Sequence, residues 1–209
     1  MVWSIFFFQR KKYGIINSDE LQRLEDLKKI NPDFNNTWHD KNYLENLPVK
    51  LFKKPDIDHN NMPSKNDVMF VITNGYLILS KKLYDIISQF NLGKTHFSQV
   101  HIYNIETKEQ LSDVPYYFIN IAEKRDYLDV DNSKGLGVSI YNPQWKQRFI
   151  GISEDDDIKL SHACLADDID LWHEPILLKS LFFSDRLANA LLDSGFTKEQ
   201  LGLIRCIIQ

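Results

Sequence analysis

One pattern occurs twice in this chain. Leu77-Ile78-Leu79-Ser80-Lys81-Lys82-Leu83 runs on to Ile87, and Leu181-Phe182-Phe183-Ser184-Asp185-Arg186-Leu187 runs on to Leu191. Each copy is an apolar run, a serine, and then a stretch with helical periodicity: Leu83, Ile86, Ile87 and Phe90 in the first, Leu187, Ala190 and Leu191 in the second. A serine ahead of such a stretch caps a helix, because its hydroxyl accepts a bond from an otherwise unpaired backbone N–H. Each copy is followed by a turn residue, Asn91 or Gly195, and by a further apolar, strand-like segment. The pattern predicts two similar strand–helix–strand units. It describes an architecture and carries no reacting groups.

The rest of the chain supplies more strand than helix. Trp3 to Phe8, Val68 to Thr73, Phe97 to Tyr103, Tyr116 to Ile121, Val138 to Tyr141, Phe149 to Ser153 and Leu201 to Ile208 are rich in β-branched and aromatic residues. Asn74-Gly75 signals a tight turn. Ser18 is placed to cap a short helix through Leu21, Leu24 and Leu27, ending before Pro32. Residues 31–64 hold four prolines and many asparagines, with Trp38, Tyr43, Leu51 and Phe52 to fasten them. Strands and helices do not alternate strictly. The predicted class is α+β: one domain over 1–209 with a mixed or largely antiparallel sheet, 1–67 the less regular part and 68–209 the core carrying the repeat.

Composition bounds the function. With 43% hydrophobic and 12% aromatic residues, 209 residues can bury a real core. A net charge of −4 argues against general binding to nucleic acid, which needs a basic face, and leaves room for a local basic patch. Two cysteines, Cys164 and Cys206, read as reduced, partly buried thiols. No apolar run reaches a membrane span, and the N-terminal apolar run precedes its basic cluster (Arg10, Lys11, Lys12), the reverse of a signal peptide. The expectation is a cytoplasmic protein.

No constellation carries chemistry. Asp129, Asp131 and Ser133 open like a calcium loop, but Lys134 stands where the sharp turn needs glycine and Ile140 where a bidentate glutamate is needed, which leaves a polar turn. His39, His59, His96, His101, His162 and His173 show no zinc-ligand spacing. His162 and Cys164 would share a face in a strand, yet Asp167, Asp168 and Asp170 nearby disfavour a thiolate. Gly135-Leu136-Gly137 lacks the third glycine of a dinucleotide site and reads as a turn. No catalytic residue, metal or cofactor is predicted.

The acidic runs are the surface feature. Glu154, Asp155, Asp156 and Asp157 stand in a row, and Asp167, Asp168 and Asp170 follow. Such runs are either solvated loops or a docking surface for a basic partner, where carboxylates steer association and exclude a polyanionic substrate. Tyr141, Trp145 and Trp172 are candidate aromatic anchors beside them.

The closing segment, Leu181 to Leu187 with its helix, the Gly195-Phe196 turn and the last strand, resembles one bacterial family. So do Tyr116-Tyr117-Phe118-Ile119-Asn120-Ile121 and Asp126-Tyr127-Leu128-Asp129. These are the immunity proteins of polymorphic toxin systems, first described as a domain of unknown function in myxobacteria, which repeat a strand followed by a Ser-x-Arg/Lys-Leu helix. The resemblance covers residues 68–208, most securely 115–131 and 176–208; residues 9–67 resemble nothing identified. It implies a non-enzymatic, cytoplasmic protein that binds a cognate secreted toxin domain and occludes its cleft, with no nucleic acid or membrane as partner. Two other readings stay open: a hydrolase-like enzyme using Asp126, Asp129 or a histidine, and a regulatory binding module without a toxin.

Overall fold

A computed structural model describes residues 1–6, 15–16, 50–53, 62–63, 67–72, 77–104, 106–138, 148–150, 154–177 and 179–209. The expected helix after Ser18, the Asn74-Gly75 turn, Tyr141 and Trp145 lie outside these residues. The class is α+β and mostly sheet. The chain divides into two compact units: one of residues 1–9, 86–94 and 123–209, the other of 10–85 and 95–122. The units interleave along the chain, so neither coincides with 1–67 or 68–209.

The unit of residues 10–85 and 95–122 is built on a six-stranded sheet. Its strands are β2 (Ile15–Ile16), β3 (Lys50–Lys53), β4 (Met69–Val71), β5 (Leu77–Ser80), β6 (His96–Asn104) and β7 (Tyr116–Asn120). Their order is β2-β3-β6-β7-β5-β4. β3 runs parallel to β6, and the remaining ladders are antiparallel. Side chains alternate across a strand. One face therefore gathers Leu51, Phe70, Ile78, Val100, Ile102 and Phe118 into a core cluster. On the other face Tyr117 stacks on Tyr84 at 3.7 Å, and Phe97 meets Tyr84 edge-on at 5.0 Å. Tyr84 belongs to helix α1 (Lys81–Ile87). Ser80 Oγ accepts from Leu83 N at 3.4 Å. The helix ends short of the expected Phe90, because Gln89 and Phe90 donate to carbonyls only three residues back and tighten the last turn.

The other unit is built on a five-stranded sheet of β1 (Val2–Phe6), β10 (Lys159–Leu160), β11 (Leu171–Trp172), β12 (Ser180–Ser184) and β13 (Ile204–Ile208). Between them in sequence lies a hairpin of β8 (Leu136–Val138) and β9 (Arg148–Ile150). The five-stranded order is β10-β13-β1-β12-β11, with only β10 and β13 parallel. Val2, Leu160, Trp172, Phe182 and Cys206 form the core on one face, closed by Leu128, Ile158 and Leu177. On the other, helix α2 (Asp185–Asp193) buries Leu187, Ala188 and Leu191.

Ser184 caps α2, accepting from Leu187 N at 3.2 Å, and Gly195, with φ of +87°, ends it in the left-handed conformation. The last strand begins later than expected, at Ile204. Residues Lys198–Leu201 form a short helix, α3, started by a reciprocal capping box between Thr197 and Gln200 and stopped by Gly202. Among the described residues no helix is long and apolar enough to cross a membrane.

The two capping serines are not equivalent. Ser184 Oγ also donates to the buried Asp170 carboxylate, whereas the Ser80 hydroxyl makes the longer helix bond. Ser184→Ala is expected to cost about 2 kcal/mol and Ser80→Ala about 0.5 kcal/mol, read from urea unfolding of the full chain.

Candidate functional site

The chemistry-bearing side chains of the unit containing residues 123–209 gather where three irregular segments meet: 91–94 after α1, 123–129 after β7, and 167–174 leading into β11. Asp170 is 1% exposed. Its carboxylate accepts from Asn91 N at 2.9 Å, from Ser184 Oγ, and from Arg186 Nε. Arg186 reaches on to Asp168 at 2.7 Å. The Ser-x-Arg-Leu motif thus has a physical content. Serine caps the helix, leucine fills the core, and arginine neutralises the acid that the serine touches.

A second ion network lies alongside. Asp167 accepts from Arg125 Nε, from Tyr127 Oη at 2.5 Å and from Ile169 N at 3.2 Å. The Arg125 guanidinium, seconded by Tyr127, holds the Asp167 carboxyl down at about 2, while burial and Asp167 push the Tyr127 phenol up to about 12. Arg125 also binds Glu123, which is 5% exposed and accepts from Lys94 N at 2.8 Å.

Glu174 is fully buried, and among the described residues no cation is bonded to it. It accepts from Tyr127 N at 3.0 Å, Leu128 N at 3.3 Å and the Trp172 indole at 3.0 Å. Burial outweighs these donors and pushes its carboxyl up to about 7. The neighbouring His173, also buried, is pushed down to about 3 by burial.

The predicted docking residues are placed unevenly. Glu154 and Asp155 are exposed, and Asp156 and Asp157 half-buried. Their turn is held by the chain's own cations. Arg205 grips Asp156 through two nitrogens at 2.8 and 2.5 Å and gives its backbone N–H to Asp155. Asp157 accepts from Glu154 N, and Asp156 takes a left-handed φ of +72°. Asp168 projects outward, 79% exposed. Asp170 and Trp172 are interior, where surface positions were expected. Trp172, at 2% exposure, stacks on Phe182 and meets Tyr127 edge-on, so it is a core residue.

The remaining motifs are structural in their settings. Asp129 Oδ atoms are occupied by Asn132 N, Asn132 Nδ2 and Gln209 Nε2, which makes its segment a polar turn. His162 and Cys164 sit on a 3-10 turn, His162–Leu165, not a strand. Burial pushes the Cys164 thiol up, and the Cys206 thiol up to about 12. His96 and His101 fall on opposite faces of β6. Gly135, at φ +72°, turns the chain into β8. Among the described residues no three His, Cys, Asp or Glu are placed to hold a metal ion. Sequence reasoning missed the buried acids Glu123 and Glu174 and the arginines that pair with the acidic runs, Arg125 and Arg205. Only Arg186 had a local signal, the motif itself.

Two expectations follow. Gly93 has φ +56°, and a Cβ there would lie 2.1 Å from the Glu123 carboxylate, while one at Gly195 meets nothing within 4 Å. Gly93→Ala should therefore destabilise by several-fold more than the ~1 kcal/mol of Gly195→Ala, measured by thermal melts. The second expectation concerns pH. Glu174 has a raised pKa, so its contribution is full below about 4.5 and is lost as pH rises through about 7. His173 has a lowered pKa, so its contribution is full above about 6.5 and is lost as pH falls toward about 3. Over the shared window the folded chain holds its proton on Glu174 and the unfolded chain on His173, so the two slopes cancel. Glu174→Gln should unmask a stability that climbs by roughly 1.4 kcal/mol per pH unit between pH 4.5 and 6.5, read by denaturant titration at each pH.

Beyond the geometry, sequence comparison identifies relatives at the level of a family. No curated protein matches the chain. Residues 14–201 match the Immunity protein family (Imm11). The match reaches back through residues 14–67, which had resembled nothing identified, and it includes the 167–174 segment and both capped helices. The chain belongs to the Immunity protein family, Imm11.

Proposed function

We propose that this chain is a non-enzymatic immunity protein that binds a cognate secreted toxin domain in the cytoplasm of the producing cell and blocks its active cleft. Membership of the Immunity protein family carries the reading. The surface chemistry supports one way of docking. Glu154, Asp155 and Asp168 are exposed carboxylates on rigid backbone. Asp155 and Asp156 answer to Arg205, and Asp168 answers to Arg186, so each turn keeps its shape before a partner arrives. A pre-ordered acidic edge needs no further ordering on binding and steers a basic partner toward it. Asp170 contributes from inside by holding Arg186, which reaches Asp168.

The test is binding and growth protection with the toxin domain encoded beside the gene. Glu154→Lys with Asp168→Lys should slow association about tenfold at low salt, with the difference shrinking as ionic strength rises. Asp156 is left alone, since its loss would strand Arg205. Unchanged association in a variant that melts normally would remove the acidic edge from the interface. A wild-type chain that neither binds nor protects would remove the immunity reading.

A further inference from the structure

Five strands of the six-stranded sheet, all but β2, match the five-stranded sheet once β1 is set against β7. The order β10-β13-β1-β12-β11 corresponds to β3-β6-β7-β5-β4. The parallel ladder is the same one in each, β10 with β13 and β3 with β6, and the other three are antiparallel in both.

The registers agree as well. Ser184 stands opposite Val2 as Ser80 stands opposite Tyr116, and Val2 in turn faces Cys206 as Tyr116 faces Val100. Counting along from there, Ile207 and Ile208 pair with Lys159 and Leu160, where His101 and Ile102 pair with Lys50 and Leu51. β10 and β3 thus both read Lys-Leu at the same register. On the far side Phe182 faces Trp172 as Ile78 faces Phe70. Even the bond that closes the outer hairpin recurs: Ser184 N donates to Asp170 O and Ser80 N to Val68 O, both at 2.9 Å. A register slip of one residue on any ladder would turn its side chains to the wrong face. Agreement on all four is not what two unrelated sheets produce.

The cores correspond too. Leu160, Trp172, Phe182 and Cys206 occupy in one cluster the places of Leu51, Phe70, Ile78 and Val100 in the other. One strand breaks the parallel in sequence order. β7 follows β6 along the chain, whereas β1 precedes everything and still fills the equivalent slot. Val2 pairs with Cys206, so the start of β1 and the end of β13 lie at the same end of one antiparallel ladder. A short hairpin loop would join them as residues 105–115 join β6 to β7.

We infer that the five-stranded sheet is a permuted copy of the six-stranded one, closed by β1 acting as a strap in the slot that β7 fills in the other. The strap cannot close until β12 and β13 exist, so the first strand waits on the strands at the end of the chain. The departures between copies are as informative as the agreements. Asp170 stands where the other copy has Val68, and Glu174 stands in the register place of Ile72. The five-stranded copy thus carries buried carboxylates at two places where the other is apolar.

The test uses two circular permutants of the full sequence, each with residues 209 and 1 joined by a loop of about four or about eight residues. The first opens between Gln9 and Arg10 and places β1 directly after β13. The second opens between Thr107 and Lys108, which makes β7 the leading strand and reverses the roles of the two sheets. Both are expected to give the native near-ultraviolet circular dichroism and to melt within about 4 °C of the parent. The first should also refold faster, because its longest-range ladder has become a hairpin. Failure of the first with both loops overturns the placement of β1. Native folding of the first with failure of the second overturns the equivalence of the sheets.

Discussion

The placement of β1 is the constraint on which the unit of residues 1–9, 86–94 and 123–209 depends. A central strand satisfies backbone donors and acceptors on both neighbours at once, and without it β12 and β13 would face each other as two unpaired edges. Val2 enters the core cluster on one face. Trp3, on the other, gives its indole N–H to Asp185 at the start of α2 and lies under the Lys198 ammonium at 4.5 Å. One five-residue strand therefore fixes the sheet, the entry of α2 and the position of α3. Its partners come from the opposite end of the chain, so this unit forms only when nearly all of the sequence is available.

Charge is organised by the same logic of distant partners. The acidic runs repel themselves, and each is made tolerable by an arginine from elsewhere: Arg125 for Asp167, Arg186 for Asp168 and Asp170, Arg205 for Asp156. Exposed pairs of this kind add little stability. Asp170 differs, because its carboxylate is almost wholly out of water and would be costly without the three donors around it. The network thus buries the acid that shapes the turn and leaves outward those that can meet a partner.

Local chemistry was legible in the sequence, and long-range pairing was not. Ser80 and Ser184 were readable as caps because a hydroxyl before a periodic stretch has one obvious use, and Gly195 as a terminator because few residues adopt its φ cheaply. The Thr197–Gln200 capping box starts a helix that takes in Leu201, where local capping outweighs the strand propensity of Leu201 to Ile208. For Asp170 and Trp172, sequence shows an acid and an aromatic but not the side each faces. The two-residue strand β11 decides that, and it orients by pairing with β12 beyond Pro175. The short strands β10 and β11 carry too few residues to show an alternation. Arg205 reads as an ordinary strand residue until β13 is placed beside the 154–157 turn.

Register explains why a repeat so faint in sequence is so exact in structure. Pairing fixes which residues share a face and which backbone groups bond, and it tolerates almost any side chain that fills the space. Leu160 and Leu51 are identical across the copies, Trp172 and Phe70 merely similar, and Glu174 and Ile72 opposite in character. The last difference survives because 123–129 brings two backbone N–H groups and Trp172 brings an indole to receive the carboxylate. A buried polar group is affordable only where its donors arrive with it. Segment 123–129 and Glu174 are therefore coupled: a change in either strands a buried carboxylate without its donors or leaves those donors without an acceptor.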